Sequence, residues 1–289
     1  MRFGLRYCNT GRYVEAANAV ELAQAAEEAG FESLWTVEHT VVPADYQSAY
    51  PYSPDGKMAG GRDDFPIPDP LIWMSFVAAG TKRIKLATGI LILPQHNPVI
   101  TAKQVATLDH LCGGRVLLGI GVGWLKEEFD AIGADFATRG RRTDEYIEAL
   151  RILWTEARPT YHGEFVRFDS AYCRPRPARG AVPIIVGGHS RAAARRAGRL
   201  GDGFFPARGL SEELLTLARE TARAHGRDPA ELEVTASFPE RFEALEDLER
   251  LGVSRVLVPV GPMPGMGAHL ATPEAVLSFR EQIERFDRS

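Results

Sequence analysis

The stretch RVLLGIGVG, Arg115–Gly123, gives the first indication of the fold. It is apolar at most positions, so both of its faces need covering, as in a parallel sheet flanked by helices. The stretches IKLATGILIL (Ile84–Leu93) and PIIVGG (Pro183–Gly188) have the same character. Between the first two, Val99–Leu111 carries apolar residues at helical spacing and ends before two glycines, which predicts a helix.

The same alternation of strand and helix continues outward to both ends of the chain. The predicted strands are Arg2–Tyr7, Ser33–Glu38, Ile84–Leu93, Arg115–Gly123, Pro183–Gly188, Gly203–Ala207, Leu232–Ser237 and Arg255–Val260. The predicted helices are Val14–Ala29, Asp69–Lys82, Val99–Leu111, Arg142–Ala157, Ser190–Leu200, Glu212–His225, Glu240–Gly252 and Thr272–Phe286. Alternation of this kind favours a barrel or an open doubly wound sheet. Eight units without a break in composition favour one (β/α)8 TIM barrel, a single domain over residues 1–289.

Two segments stand outside this alternation. YHGEFVRFDS, Tyr161–Ser170, alternates at period two and predicts a hairpin inserted before strand five. His39–Pro68 is long, irregular and rich in Pro, Gly, Tyr and Asp, and loops of that length in compact domains are usually functional or disordered. Its aromatic residues suggest a partly apolar pocket beneath it, although simple packing within the loop explains them equally well. They are Tyr46, Tyr50, Tyr52 and Phe65.

Composition narrows the functional classes. The 289 residues are 45% hydrophobic and 25% charged with a net charge of −4, which is typical of a globular protein and gives no reason to expect a nucleic-acid partner. We expect no membrane span, because no run of 18 apolar residues occurs. The N-terminus has no signal-peptide pattern, and the three cysteines are far apart without metal-ligand spacing. These features predict a cytoplasmic protein with reduced thiols and no metal site.

Functional groups of such a barrel lie where strands end, and Glu38-His39 ends the second strand. This titratable pair could bind or transfer a proton, and the alternative is a histidine that only bonds to its own loop. Thr88-Gly89-Ile90 ends the third strand, where a glycine permits an unusual peptide geometry beside a ligand. The alternative there is a glycine tolerated in a tight strand exit. His96, further along, is interpreted as a loop residue.

Two glycine-rich runs follow later strands. GIGVGW, with Gly121, Gly123 and Trp124, resembles a dinucleotide fingerprint only weakly, because the third glycine is not at the right spacing and no acidic residue is correctly placed about twenty residues on. We interpret the run as letting a ligand approach the backbone closely, with Trp124 either stacking or packing. The run Gly187-Gly188-His189-Ser190-Arg191 precedes a helix, and the N–H groups at a helix N-terminus bind anions. It is the best phosphate-site candidate, with an ordinary capped helix start as the alternative.

Three stretches together resemble the luciferase-like monooxygenase superfamily, and within it the branch of coenzyme F420 (deazaflavin)-dependent oxidoreductases. They are Gly30–Pro43, Arg83–Gly133 and Pro183–Pro206. The resemblance implies a bacterial luciferase-like barrel with a flavin or deazaflavin ring at the strand ends. It also implies a cis peptide at Gly89-Ile90 behind the ring, His39 beside it and the phosphate at Gly187–Ser190. Members of the superfamily are often homodimers.

Two departures from the family pattern bear on the substrate. The sugar-phosphate dehydrogenases of this superfamily carry a tryptophan where this chain has Pro43, and a glutamate where it has Trp124. Both changes argue against sugar-phosphate oxidation. The chain is therefore predicted to be an oxidoreductase that uses coenzyme F420 for hydride transfer to or from a small organic substrate, with His39 as proton or hydrogen-bond donor. The alternatives are an FMNH2-dependent monooxygenase that uses O2, with FMN as cofactor, and a catalytically silent flavin-binding protein.

Overall fold

A computed structural model describes residues 1–53, 55–58, 63–206, 208–261 and 269–287. Its strands are, in chain order, β1 (Arg2–Arg6), β2 (Ser33–Thr36), β3 (Lys85–Thr88), β4 (Leu91–Ile92), β5 (Val116–Gly121), β6 (Tyr161–His162), β7 (Arg167–Phe168), β8 (Ile184–Gly187), β9 (Gly203–Phe205), β10 (Glu233–Ser237) and β11 (Arg255–Pro259). Its helices are α1 (Ala16–Ala29), α2 (Pro70–Ala78), α3 (Pro98–Leu111), α4 (Lys126–Ala131), α5 (Arg139–Thr155), α6 (Arg191–Leu200), α7 (Glu212–Ala224), α8 (Leu245–Arg250), α9 (Pro273–Ser278) and α10 (Arg280–Asp287). Ala207, the predicted end of the sixth barrel strand, lies outside the described residues, as do parts of the predicted long loop.

The main sheet closes on itself. Its strands follow the order β3, β2, β1, β11, β10, β9, β8, β5, and all pairs are parallel. Pairing of β3 with β5, with Leu86 opposite Val116, completes the circle. The predicted (β/α)8 TIM barrel is therefore confirmed. The predicted hairpin is also present as the antiparallel pair β6 and β7, before the fifth barrel strand β8.

The third predicted strand, Ile84–Leu93, is interrupted. It is β3, then a cis peptide bond between Gly89 and Ile90, then the short β4, which pairs with the end of β5. The cis bond is the geometry that the family resemblance implies. The break turns the chain at the strand ends, so that Ile90 lies at the mouth of the barrel.

Several helix starts follow from local chemistry. Asp69 accepts a hydrogen bond from the N–H of Ile72, and Pro70 occupies the first helical position of α2, as predicted. The prediction started α5 three residues late, at Arg142 instead of Arg139, and it missed α4 altogether. The predicted helix Glu240–Gly252 is a 3-10 turn followed by the short α8.

Inside the barrel, charged side chains lie at the amino ends of the strands, and apolar side chains lie further along the strands. The middle of the barrel is filled by six buried apolar side chains, Trp35, Ala87, Leu117, Ile185, Phe205 and Leu257. Below them, the fully buried Arg255 forms ion pairs with Glu32 and Glu233. Burial opposes ionisation of Glu32, but the bond and charge of Arg255 outweigh it and lower the pKa of Glu32 to about 2. No helix in the described part of the chain is long and apolar enough to cross a membrane.

Candidate active site

A cavity of about 2090 Å³ opens at the carboxyl ends of the barrel strands. Most of the site residues predicted from the sequence line it, namely Glu38, His39, Gly89, Ile90, Gly121, Gly123, Trp124, Gly187, Gly188, His189 and Ser190. Thr88 does not: it is fully buried, and its hydroxyl donates to the carbonyl of Gly119 at 2.6 Å. The structure therefore brings all but one of these residues to a single cavity.

His39 is held by a carboxylate that sequence reasoning missed. Nδ1 of His39 lies 3.0 Å from Oε2 of Glu128, whose other oxygen accepts the N–H of Thr40 at 2.6 Å. The Glu128 side chain is almost completely buried. A carboxylate beside Nδ1 accepts a hydrogen bond from the N–H of that nitrogen, so Nε2 of His39 is left for a ligand in the cavity.

A signal for Glu128 does exist in the sequence. Leu125 and Phe129 are four residues apart and both are fully buried, as expected for the inner face of a helix. Glu128 is three residues after Leu125 and therefore lies on that same face. An acidic residue on the apolar face of a helix is rarely left without a partner, and this could have marked it as a candidate.

Glu38, predicted as catalytic, has its carboxylate engaged on both oxygens. Oε2 accepts the backbone N–H of Ile92, and Oε1 lies 2.8 Å from Nε2 of His96. Burial alone lowers the pKa of His96, but the hydrogen bond and charge of Glu38 outweigh it and raise this pKa above its ordinary value. His96 is thus more than the loop residue that its sequence context suggested. The pair ties the end of β2 to the segment after β4.

Ile90 explains two of the predicted glycines. A Cβ atom on Gly121 would lie 2.7 Å from Cδ1 of Ile90, and one on Gly187 would lie 2.6 Å from its Cγ2. Real Cβ atoms do not approach other atoms that closely. Both glycines line the cavity, and the side chain of Ile90 leaves no room for a side chain at either position. Together the three residues form one wall of the cavity.

The N-terminus of α6 faces the cavity beside that wall. Ser190 caps the helix by accepting the N–H of Ala193 at 3.1 Å. Gly188 has φ of 131°, a conformation that residues with side chains rarely adopt. Nδ1 of His189 is buried without a hydrogen-bond partner in the described residues, and burial, with the charge of Arg208, lowers the pKa of His189. The N–H of Gly188 donates to the carbonyl of Phe205 at 3.2 Å, so an anion site here would use the N–H groups that follow it at the start of α6.

Aromatic rings from the long loop cover Trp124. The ring of Trp124 is edge-on to those of Tyr46, Tyr50 and His39, with centroids 5.4, 5.1 and 5.9 Å away. Burial raises the pKa of Tyr50 to about 12, which keeps its hydroxyl neutral. Tyr50, Tyr52 and Phe65 line the cavity, as the sequence suggested, whereas Tyr46 is buried behind them.

Known proteins with similar sequences differ in cofactor. A curated F420-dependent glucose-6-phosphate dehydrogenase of Kineococcus radiotolerans is 32% identical over 232 residues, 77% of this chain and 63% of that protein. An FMNH2-dependent dimethylsulfone monooxygenase of Pseudomonas putida is 40% identical over 131 residues, 44% of this chain and 36% of that protein. Uncharacterized proteins of Mycobacterium tuberculosis and Mycobacterium bovis are 36% identical, and the match spans 65% of their length.

The fold and the family agree. The coenzyme F420-dependent tetrahydromethanopterin reductase of Methanopyrus kandleri has the same fold, with a TM-score of 0.75, 18% identity and 99% of each chain covered. The sequence profile of the luciferase-like monooxygenases matches residues 3–240, which include the barrel strands that carry the cavity up to β10. The chain belongs to the luciferase-like monooxygenase family.

Proposed function

We propose that this protein is an oxidoreductase that uses coenzyme F420 for hydride transfer to or from a small organic substrate. The observation that carries the proposal is His39, held on Nδ1 by the buried Glu128 at the edge of a large cavity. Similarity to an F420-dependent dehydrogenase supports the choice of cofactor. Pro43 and Trp124 stand where sugar-phosphate dehydrogenases have Trp and Glu, so we propose a different substrate class.

The residues present fit a phosphate-bearing ring cofactor. The cavity exceeds the roughly 300–1,000 Å³ of ordinary ligand pockets, so it has room for a cofactor and a substrate together. The cofactor phosphate would be held by the Gly188–Ser190 segment at the start of α6, and the ring would lie against Ile90, Gly121 and Gly187. When bound, the deazaflavin supplies the carbon that gives or accepts the hydride.

The chain itself supplies orientation and a proton site. Glu128 fixes the ring of His39 and the position of the proton on Nδ1. Nε2 is then the atom that accepts a proton from a bound substrate, or donates one when it carries it. Trp124 packs against the ring of His39, and Tyr50 packs against Trp124, so aromatic side chains lie beside the proton site. Glu38 would act as a positioning residue and not on the substrate itself, because its two carboxylate oxygens already contact His96 and the N–H of Ile92.

A titration of the purified protein with coenzyme F420 and with FMN tests the cofactor assignment. Cofactor fluorescence reports binding without any need for a substrate. We expect micromolar or tighter affinity for F420 and weaker affinity for FMN. Equal affinity, or tighter binding of FMN, would remove the support for an F420-dependent enzyme.

The second candidate is an FMNH2-dependent monooxygenase, favoured by the similarity to the dimethylsulfone enzyme. Both candidates use the same site, so consumption of O2 with reduced FMN, above the autoxidation of the free flavin, separates them. A silent flavin-binding protein would bind a cofactor and turn over nothing with either. Absence of turnover together with tight binding would support that third reading.

We further propose a cytoplasmic homodimer. Support for the dimer comes from apolar side chains exposed on the neighbouring helices α2 and α3, namely Ile72, Phe76, Val99 and Ile100. Such a patch is typical of a protein interface. Sedimentation equilibrium of the protein and of an Ile72→Lys variant tests the assembly, since the variant should be monomeric.

A further inference from the structure

Arg6 is a buried cation on the floor of the cavity. It ends β1, lines the cavity and is 8% exposed. Its Nη1 donates to Oγ of Ser237 at 3.0 Å, whereas Nε is buried with no hydrogen-bond partner. Within residues 1–53, 55–58, 63–206, 208–261 and 269–287, no carboxylate forms an ion pair with it.

An arginine in this state is unusual. Arginine is almost never buried unless paired, because its charge and its five N–H donors lose the water that satisfied them. Arg196, the other buried arginine that lines the cavity, follows the rule, since it pairs with Asp144. The guanidinium of Arg6 instead lies 4.4 Å from the ring centroid of Tyr7 and 5.3 Å from that of Phe205.

The rings of Tyr7 and Phe205 do not satisfy the hydrogen-bond donors of Arg6. A cation above an aromatic face gains about 0.5–2 kcal/mol, but its N–H groups in the guanidinium plane still need acceptors. The hydroxyl of Ser237 already accepts one of these N–H groups, and its own hydrogen remains available to donate. Arg6 and Ser237 therefore present N–H and O–H donors, and one positive charge, to whatever lies above them.

The position of Arg6 separates it from the proposed phosphate site. In the closed order of the barrel, β1 and β8 lie on opposite sides, with three strands between them in either direction. Arg6 ends β1, and Gly187 to Ser190 follow from β8. The anion that Arg6 needs is therefore not the one that the start of α6 would hold.

We propose that Arg6 and Ser237 form a subsite for the carboxylate of an organic-acid substrate, whose apolar part lies against Phe205 and Tyr50. A carboxylate matches the planar fork of an arginine, and its single charge balances a single cation. The guanidinium lies 5.3 Å from the ring centroid of Phe205, and Tyr50 lines the same cavity, so one molecule in the cavity can meet both rings. The inference rests on the proposed redox function, because it names the class of substrate that the cofactor would reduce or oxidise.

Benzoate and its neutral isostere benzamide are suitable probes, because both are flat and aromatic and only benzoate is charged. Calorimetric titrations of the full chain, with and without saturating coenzyme F420, should show benzoate binding at least about tenfold tighter than benzamide. Binding of benzoate that is no tighter than that of benzamide, undetectable binding included, overturns the proposal without any variant.

Variants then assign the preference to Arg6. Arg6→Gln should abolish the preference for benzoate, and Arg6→Lys should retain part of it because the charge stays. Arg141→Gln is the matched control: it removes a cavity cation already paired with Glu164 and should leave the preference unchanged. A full preference for benzoate in folded Arg6→Gln would overturn the proposal.

Coenzyme F420 could itself bring a carboxylate to Arg6, and the same variants distinguish this source. We expect the affinity of Arg6→Gln for F420 to stay within about twofold of the original. A loss of tenfold or more would assign Arg6 to the cofactor and overturn the substrate subsite. Preference for FMN over F420 would contradict the proposed function alone, since the benzoate preference does not depend on which ring is bound.

Discussion

Oε2 of Glu128 lies 3.0 Å from Nδ1 of His39, and the two residues are 89 positions apart in the sequence. The carboxylate also receives the N–H of Thr40, so one buried group fixes both the ring of His39 and the backbone beside it. This arrangement makes Glu128 a positioning residue. Its effect on the reaction should pass through the tautomer of His39.

Glu128→Gln should reverse that tautomer. The carbonyl oxygen of the glutamine is needed by the N–H of Thr40, so its NH2 group faces Nδ1, which must then act as an acceptor. The ¹⁵N shifts of the His39 ring should show a proton on Nδ1 in the original protein and on Nε2 in the variant. We expect kcat to fall by about tenfold to a hundredfold. An unchanged tautomer with reduced kcat would point to a merely structural role.

His39→Ala should reduce turnover by about a hundredfold or more, because it removes the group that exchanges a proton with the substrate. The fold should be retained with a lower melting temperature, because the buried Glu128 loses its partner on Oε2 and keeps the N–H of Thr40 on Oε1. His162→Ala is a matched control, because His162 is exposed on the β6–β7 hairpin, where its ring bonds to Asp169. Full activity of His39→Ala would remove His39 from the mechanism.

The sequence predicted those features of the fold that depend on interactions between residues close together in the chain. Strands that are apolar on both faces, and caps such as Asp69 with Pro70, are visible within a few residues, and they were enough for the barrel. Glu128 and Arg6 were missed for a different reason. The partner of Glu128 is fixed by a contact between distant loops, and the exposure of Arg6 to the cavity depends on the closure of the barrel. The apolar residues around Glu128 mark it as buried but do not identify its partner, and no pattern in consecutive residues marks Arg6.

Gly187→Ala should destabilise the protein by about 1–3 kcal/mol, because the new methyl group would meet Cγ2 of Ile90. Adding Ile90→Ala removes that atom and should recover part of the loss. Guanidinium denaturation of the two single variants and the double variant measures the coupling. Gly140→Ala is the control, since its methyl group would meet only Nη2 of Arg196 at 3.5 Å. Because Gly140 is only the second residue of α5, the substitution should change the free energy of unfolding by no more than about 0.5 kcal/mol. If the changes in the free energy of unfolding at Gly187 and Ile90 are additive, the contact with Ile90 is not the cause of the destabilisation by Gly187→Ala.

Stability should fall as the pH rises above 6.5, and His96 should cause the fall. Its pKa is raised above 6.5 in the folded state, so its stabilisation is complete below the unfolded pKa and is lost as the pH rises through the folded pKa. His189 acts in the opposite direction, because its pKa is lowered, and its contribution is already complete above about 6.5. Melting temperatures from pH 6 to about 9 should decrease for the original protein and decrease less for His96→Gln. Parallel curves would exclude the pair of Glu38 and His96 as the origin.

Gly188→Asp should weaken cofactor binding, because a carboxylate beside the start of α6 repels a phosphate there. Any side chain at Gly188 is strained, since its φ is 131° and a Cβ atom would lie 3.0 Å from that of Ala193. Gly188→Asn is therefore the matched control: the asparagine has the same shape and strain without the charge. We expect the Asp variant to bind F420 about tenfold or more weakly than the Asn variant, with the gap narrowing as salt is added. Equal affinities of the two variants for F420 would show that the phosphate does not lie near Gly188. This conclusion would hold even if both variants bound F420 more weakly than the original protein.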